Sequence, residues 1–293
     1  MLRLRSFAYF EPDSVGEAVE ILAGRGRTGR LLAGGTDLVV DMKTGRDRPE
    51  AIVNLKRIDG LDGIAGEGGG VRVGALCGIR TIEHSASVAR RHRALQMAAG
   101  VLGPPGVRAL ATIGGNIGRA SPASDLAPPL WVHAAVVTVE GAAGRRDVAA
   151  ADLWAGPGVS GLAPDEIVTS VFLPDPPARS GTSHLKIGTR GGGTDLAIVG
   201  ASAGVVLDEE GTVADARIVL ASVGPTPVRA LEAEAVLTGA RPTGDVLGRA
   251  AAAAASETAP IDDVRASASH RRVLARVLVA RALGDALDAV ECA

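Results

Sequence analysis

Cysteine is nearly missing from this 293-residue chain: Cys77 and Cys292 stand far apart, in no CxxC or Cys/His cluster. A disulfide framework, a structural zinc site and a four-cysteine iron–sulfur cluster are therefore excluded within this sequence, and no metal ligands are assigned. Aromatics are almost as scarce, limited to Phe7, Tyr9, Phe10, Trp131, Trp154 and Phe172. No row of rings for stacking single-stranded bases can be assembled, and the core must be aliphatic. Neither charge is in excess, since 31 Lys and Arg oppose 33 Asp and Glu for a net charge of −2. Such a surface is not built for a phosphate backbone or an anionic lipid, so nucleic acid is not an expected partner. No run approaches the roughly 18 apolar residues of a membrane span. Met1 to Pro12 lacks the apolar core of a signal peptide, and the expected location is cytoplasmic. Lysine occurs only at positions 43, 56 and 186, so each one draws notice.

What is present reads as globular: 46% hydrophobic and 22% charged residues in a chain long enough for two or three compact units. Glycine is abundant, with 39 residues and no collagen period, which predicts many tight turns and close backbone approaches. The spacing of Val15, Ala18, Val19 and Leu22 predicts a short amphipathic helix over 14–24. A strand over 30–33, a Gly34-Gly35 turn and a helix over 36–43 should follow. Strand-like runs occupy 51–55, 64–65 and 71–75, with a hairpin loop at 66–70. Helices are expected over 79–86 and 91–102, the second stopped by Gly103-Pro104-Pro105-Gly106. Strands at 136–140 and 167–173 follow the Pro128-Pro129 pair. The three prolines in Leu173 to Gly181 mark a boundary between a first domain, 1–176, and a second, 177–293. The second shows strands at 198–207 and 216–223, then helices at 230–238, 246–257 and 271–290, an α+β order.

Two glycine pairs carry the chemical interest. In Leu32-Ala33-Gly34-Gly35-Thr36-Asp37-Leu38 they lie between a strand and a helix N-terminus, where free amides and the helix dipole suit an anion such as a diphosphate. The purely structural reading is a helix-starting turn capped by Thr36, with Asp37 favouring the dipole. In Thr112-Ile113-Gly114-Gly115-Asn116, amides sit beside a hydroxyl and a carboxamide, suited to phosphate oxygens or a polar ring edge. The structural alternative there is a strand bend. Asp125, a few residues on, is placed to accept from sugar hydroxyls.

Taken together, Ala33 to Leu38, Thr112 to Ile117 with Ser121-Pro122-Ala123-Ser124-Asp125, and Lys186-x-x-x-Arg190 with Asp195 resemble the FAD-binding medium subunit of molybdenum hydroxylases, the carbon monoxide dehydrogenase and xanthine dehydrogenase group. The resemblance extends through Gly224 to Ala230 and Arg271 to Leu283. It implies a vanillyl-alcohol-oxidase-type FAD-binding domain of two α/β subdomains, about 1–57 and 58–176, followed by a C-terminal α+β domain. FAD would lie extended between its parts. The implied contacts are Ala33, Gly34, Gly35, Thr36, Asp37 and Leu38 at the pyrophosphate, and Thr112, Ile113, Gly114, Gly115 and Asn116 along flavin and diphosphate. Asp125 would meet the sugar chain, Leu102 lie near the adenine, Val168 against the isoalloxazine, and Lys186 reach the flavin edge. A cation there favours the negative charge that reduction brings.

His184 stands where the family commonly has an aromatic, and Cys77 reads as a packed thiol without covalent flavin. No residue is assigned an acid–base catalytic role. By the same resemblance, the partners are a molybdopterin-binding large subunit and a [2Fe–2S] small subunit, with electrons leaving FAD for NAD, a quinone or dioxygen. The alternatives are a self-sufficient FAD oxidoreductase acting on a small organic substrate, and a flavin-free scaffold that retains the fold.

Overall fold

Residues 4–189 and 195–291 are described by the computed structural model, so Arg190 and the 191–194 spacer lie outside the described residues. The Ser14 hydroxyl accepts the Glu17 N–H and starts the helix Val15–Arg25, whose Ala18, Val19 and Leu22 are buried on one side. Beside it, three parallel strands run in the order Ala8–Phe10, Ala51–Asn54, Gly29–Leu32. All four residues of the middle strand are buried, as a strand covered on both faces requires. Gly34-Gly35 and Lys56 both follow strands of this sheet, so they emerge at its carboxyl edge, where open α/β sheets bind ligands.

The next unit is a five-stranded antiparallel sheet, ordered Ile64–Glu67, Gly70–Gly74, Ile167–Pro174, Val136–Gly141, Gly144–Ala149. Between its second and third strands in sequence, the chain makes a set of short helices. Thr112 to Ile117 is among them: Thr112 accepts the Gly115 N–H and caps the helix Ile113–Arg119, where a strand bend was the structural alternative. The proline pair belongs to the first turn of another helix, Ala127–Val132, a position at which proline removes no helical hydrogen bond. Thr36 does not cap its helix; Leu38–Thr44 begins after Asp37, with no side-chain cap.

The remainder is a four-stranded antiparallel sheet, Ser180–Gly188, Ala197–Leu207, Val213–Ala221 and Val228–Arg229 in order. The helices Leu231–Leu237, Gly244–Ser256 and Ala268–Glu291 share its apolar core. Alternation along Ser180–Gly188 sets the orientation of this sheet. Gly181 packs so tightly on the last helix that an added Cβ would lie 2.0 Å from the Ala286 carbonyl oxygen, and Ser183 reaches Asp285. Thr182 and Lys186 instead bond to the helix Arg93–Val101, at the Ala94 N–H and the Val101 carbonyl. Ser222 N–H to Pro122 carbonyl (2.8 Å) and Arg217 to Val132 carbonyl (3.3 Å) complete the join.

The apolar residues form separate cores, one around Leu22, Val53 and Leu55, one around Ile79, Ile113 and Leu130, and one around Ile218, Leu237 and Leu283. No helix among the described residues is long and apolar enough to cross a membrane.

Candidate functional site

The two glycine pairs, eighty residues apart in sequence, meet. A Cβ on Gly34 would lie 2.0 Å from the Leu110 carbonyl oxygen and 3.0 Å from Ala111 Cα, and one on Gly115 would lie 3.9 Å from Ala33 Cβ. Gly35 has φ +69°, a conformation that L side chains adopt rarely. Gly114 is seated on Ala75, with its N–H bonded to the Ala75 carbonyl at 2.8 Å and an added Cβ 2.8 Å from that same oxygen. Gly34 and Gly114 are thus explained by chain meeting chain, and Gly35 by its left-handed φ. Gly115 is the exposed one, its backbone open toward solvent beside Ala33.

From this junction a line of polar contacts leads to the C-terminal sheet. The Ser124 hydroxyl donates to Asn116 Oδ1 at 2.5 Å and accepts the Ala127 N–H, which fixes the loop that bears Asp125. Asp125 Oδ2 is 2.7 Å from Lys186 Nζ, which also donates to the Val101 carbonyl at 2.8 Å. The Lys186 side chain is fully buried and that of Asp125 is 9% exposed. Burial pushes the Asp125 carboxyl up to about 6, with the Lys186 charge working against the rise. Asp125 Oδ1 is buried and has no partner. An ammonium has three donors, so Lys186 retains one beyond these two bonds.

Leu102 and Val168 are less accessible: both sit in the central core, at 9% and 6% exposure. Leu102 follows the carbonyl that holds Lys186, and Val168 precedes Thr169, whose carbonyl accepts the Ala75 N–H beneath Gly114. Thr36, Asp37 and Leu38 continue outward from the first loop into Leu38–Thr44. His184 is a buried imidazole held by Ser202 at 2.8 Å, its pKa lowered to about 3 by burial and then by Lys186. The Cys77 thiol is fully buried and pushed up to about 11 by burial and then by Asp62, which makes it a packed thiol and not a reactive thiolate.

Three charged residues at the junction carry no motif signal. Lys56 Nζ donates to the Ala33 carbonyl at 3.1 Å, Arg119 Nη1 is 2.8 Å from Asp41 Oδ2, and Arg119 Nε is 3.9 Å from Asp37 Oδ1. Only the rarity of lysine in this chain pointed toward Lys56. Among the described residues, no group of three or more His, Cys, Asp or Glu side chains could hold a metal ion.

An α/β unit with two glycine turns, the first at a parallel carboxyl edge, joined to an antiparallel sheet that contributes a buried lysine, has the frame of a dinucleotide-binding protein. The particular family follows from comparison. Residues 5–176 match the FAD-binding domain of molybdopterin dehydrogenases, and residues 183–286 match the CO dehydrogenase flavoprotein C-terminal domain. The chain is 34% identical to the carbon monoxide dehydrogenase medium chain of Afipia carboxidovorans, over 95% of this chain and 96% of that one. It is 32% identical to the 6-hydroxypseudooxynicotine dehydrogenase complex subunit alpha of Paenarthrobacter nicotinovorans, over 96% and 95%. A crystal structure of Cu,Mo-CO dehydrogenase in its cyanide-inactivated form superposes with a TM-score of 0.93 at 32% identity, covering 98% of this chain and 99% of that one. The chain belongs to this family: it is a FAD-binding oxidoreductase subunit of the molybdenum hydroxylases.

The residues present fit that cofactor. The orphaned Asp125 Oδ1 calls for a hydroxyl donor, and the exposed Gly115, its N–H held by Thr112 Oγ1, carries no side chain on the surface beside Ala33.

Proposed function

We propose that this chain is the electron exit of a molybdenum hydroxylase. In this reading FAD is held between the loops 33–38 and 112–116, and electrons arrive from [2Fe–2S] clusters on a small subunit after substrate oxidation at a molybdopterin on a large one. They leave for NAD, a quinone or dioxygen. With two cysteines, this sequence offers no four-cysteine ligand set for the clusters, which assigns them to a partner. Separate apolar cores support the division into 1–176 and 177–293.

The observation that carries the reading is the continuous line from Ala33 through Gly115, Asn116, Ser124 and Asp125 to Lys186. FAD, when bound, supplies the exchange of electrons between single-electron and two-electron partners. The chain's own residues do the rest. The first loop presents amides to the diphosphate, and Asp125 Oδ1 accepts from the sugar chain. The amides expected of the second loop are already spent, Ile113 to Asn116 donating to Cys77, Ala75 and Thr112, so that loop offers the cofactor its exposed surface at Gly115. Lys186 turns its remaining N–H toward the flavin edge, while Asp125 keeps its ammonium in place. Leu102 and Val168 supply apolar packing at the adenine and ring ends, as core residues do elsewhere.

The test uses the purified chain reconstituted with FAD. Dye reduction by NADH, without turnover of a panel of aldehydes and N-heterocycles, is the expected result. Turnover of any of these by the isolated chain, with bleaching of its flavin, would show a self-sufficient oxidoreductase instead.

A further inference from the structure

The proposed diphosphate site has an electrostatic fault that something must correct. Asp37 immediately precedes the helix Leu38–Thr44 and Asp41 lies one turn inside it, so two carboxylates follow the first glycine loop. An anionic ligand at that loop would meet repulsion from both. Asp41 cannot turn away into water, because its side chain is only 10% exposed. Arg46 approaches Asp41 no closer than 3.8 Å and is 74% exposed, a weak counter-charge.

Arg119 is better placed. It is the last residue of the helix Ile113–Arg119, whose first turn holds the second glycine pair, yet its guanidinium reaches back to the first loop's helix. Nη1 lies 2.8 Å from Asp41 Oδ2 and Nε lies 3.9 Å from Asp37 Oδ1. One side chain thus faces both carboxylates and links the two segments whose near ends touch at Ala33 and Gly115.

We propose that Arg119 is a positioning residue of the dinucleotide site, cancelling the Asp37 and Asp41 charges beside the diphosphate and strapping the helices Leu38–Thr44 and Ile113–Arg119 at a fixed spacing. This deepens the FAD reading and rests on it. Removing the guanidinium leaves two uncompensated carboxylates next to the anion, whereas removing Asp41 as well relieves most of that repulsion.

The experiment is a FAD titration of the full-length chain, read by quenching of flavin fluorescence. Arg119→Ala should weaken FAD about tenfold, the worth of one modest charge contact. Arg119→Lys, which keeps the charge, should stay within about threefold of the parent, and Arg119→Ala/Asp41→Asn should recover most of the loss. A parent chain that binds no FAD would overturn the functional reading itself. A parent that binds, with Arg119→Ala binding equally or Asp41→Asn giving no recovery, would overturn only the role of Arg119. If Arg119→Ala loses its far-ultraviolet circular dichroism, Arg119→Gln against Arg119→Lys decides the matter: equal affinities contradict the proposal, and weaker binding by Gln supports it.

Discussion

The two edges of the proposed site are built on opposite plans. The loop edge is held at Gly34 and Gly114 by main chain packed on main chain, at residues with no side chain to clash, while Gly35 turns with φ +69° and Gly115 stays exposed. The opposite edge is an ion pair, Asp125 with Lys186, drawn from both halves of the molecule and buried against the Val101 carbonyl. An edge of the first kind fails when atoms are added. An edge of the second kind fails when one partner is taken away.

The largest effect should come at the ionic edge. Lys186→Met leaves the buried Asp125 carboxylate unpaired, and chemical denaturation should show a loss of about 3–5 kcal/mol. The double variant Lys186→Met/Asp125→Asn should lose clearly less, because it strands no charge. If the two lose equally, the pair is not an electrostatic unit.

At the loop edge, Gly34→Ala puts a methyl group 2.0 Å from the Leu110 carbonyl oxygen. The backbone must part, at about 2–3 kcal/mol by the same denaturation, and FAD binding should fall with it. Gly34→Ala at parental stability would mean the loops do not depend on that contact.

How much of this was legible in the sequence follows the same division. Glycine pairs announce themselves, and the two loops, Thr112 and Asp125 all entered the reading before any fold was known. Their reason was seen only in part: the glycine pairs were read as anion-binding turns or as structural bends, and the packing of Gly34 on Leu110 and of Gly114 on Ala75 left no mark in the sequence. The helix Ile113–Arg119 was also hidden, because two adjacent glycines lower helix propensity and only the Thr112 cap and tertiary seating offset it. Lys186 carried a signal through its rarity and its family position, but its partnership did not, since it joins a residue 61 positions away. Arg119 and Lys56 had no periodicity, punctuation or spacing to mark them. The strand Ser180–Gly188 was masked by the proline-rich run just before it, which reads as linker alone.

Acid separates the edges further. His184, two residues before Lys186, has its pKa lowered to about 3, against an ordinary value near 6.5. Between those values the unfolded chain takes a proton that the folded chain refuses, so the stability present above about pH 6.5 is lost as pH falls. His92 and His133, stacked edge to face at 4.9 Å, are lowered to about 4 and about 3 for the same reason, burial. Each should cost up to about 2 kcal/mol between pH 7 and pH 5. Asp125, raised to about 6, works the other way, favouring the fold as pH drops through that value. Thermal melts of His184→Asn across this range should show a shallower acid slope than the parent, and an unchanged slope would place the acid sensitivity elsewhere.

The smallest stability effect belongs to Gly115→Ala. It adds a methyl group 3.0 Å from Thr112 Oγ1 on an exposed turn, and the melting curve should move by less than about 0.5 kcal/mol. FAD affinity should nonetheless drop, which separates a glycine kept for the ligand from those kept for the fold.

The most direct measurement enlarges that last substitution: the flavin content of Gly115→Trp beside the parent, by absorption after reconstitution with FAD and gel filtration. One flavin on each parent chain and almost none on a variant that melts at the parental temperature is the predicted outcome. Equal flavin on both, or on neither, would contradict a shared cleft between the two glycine loops.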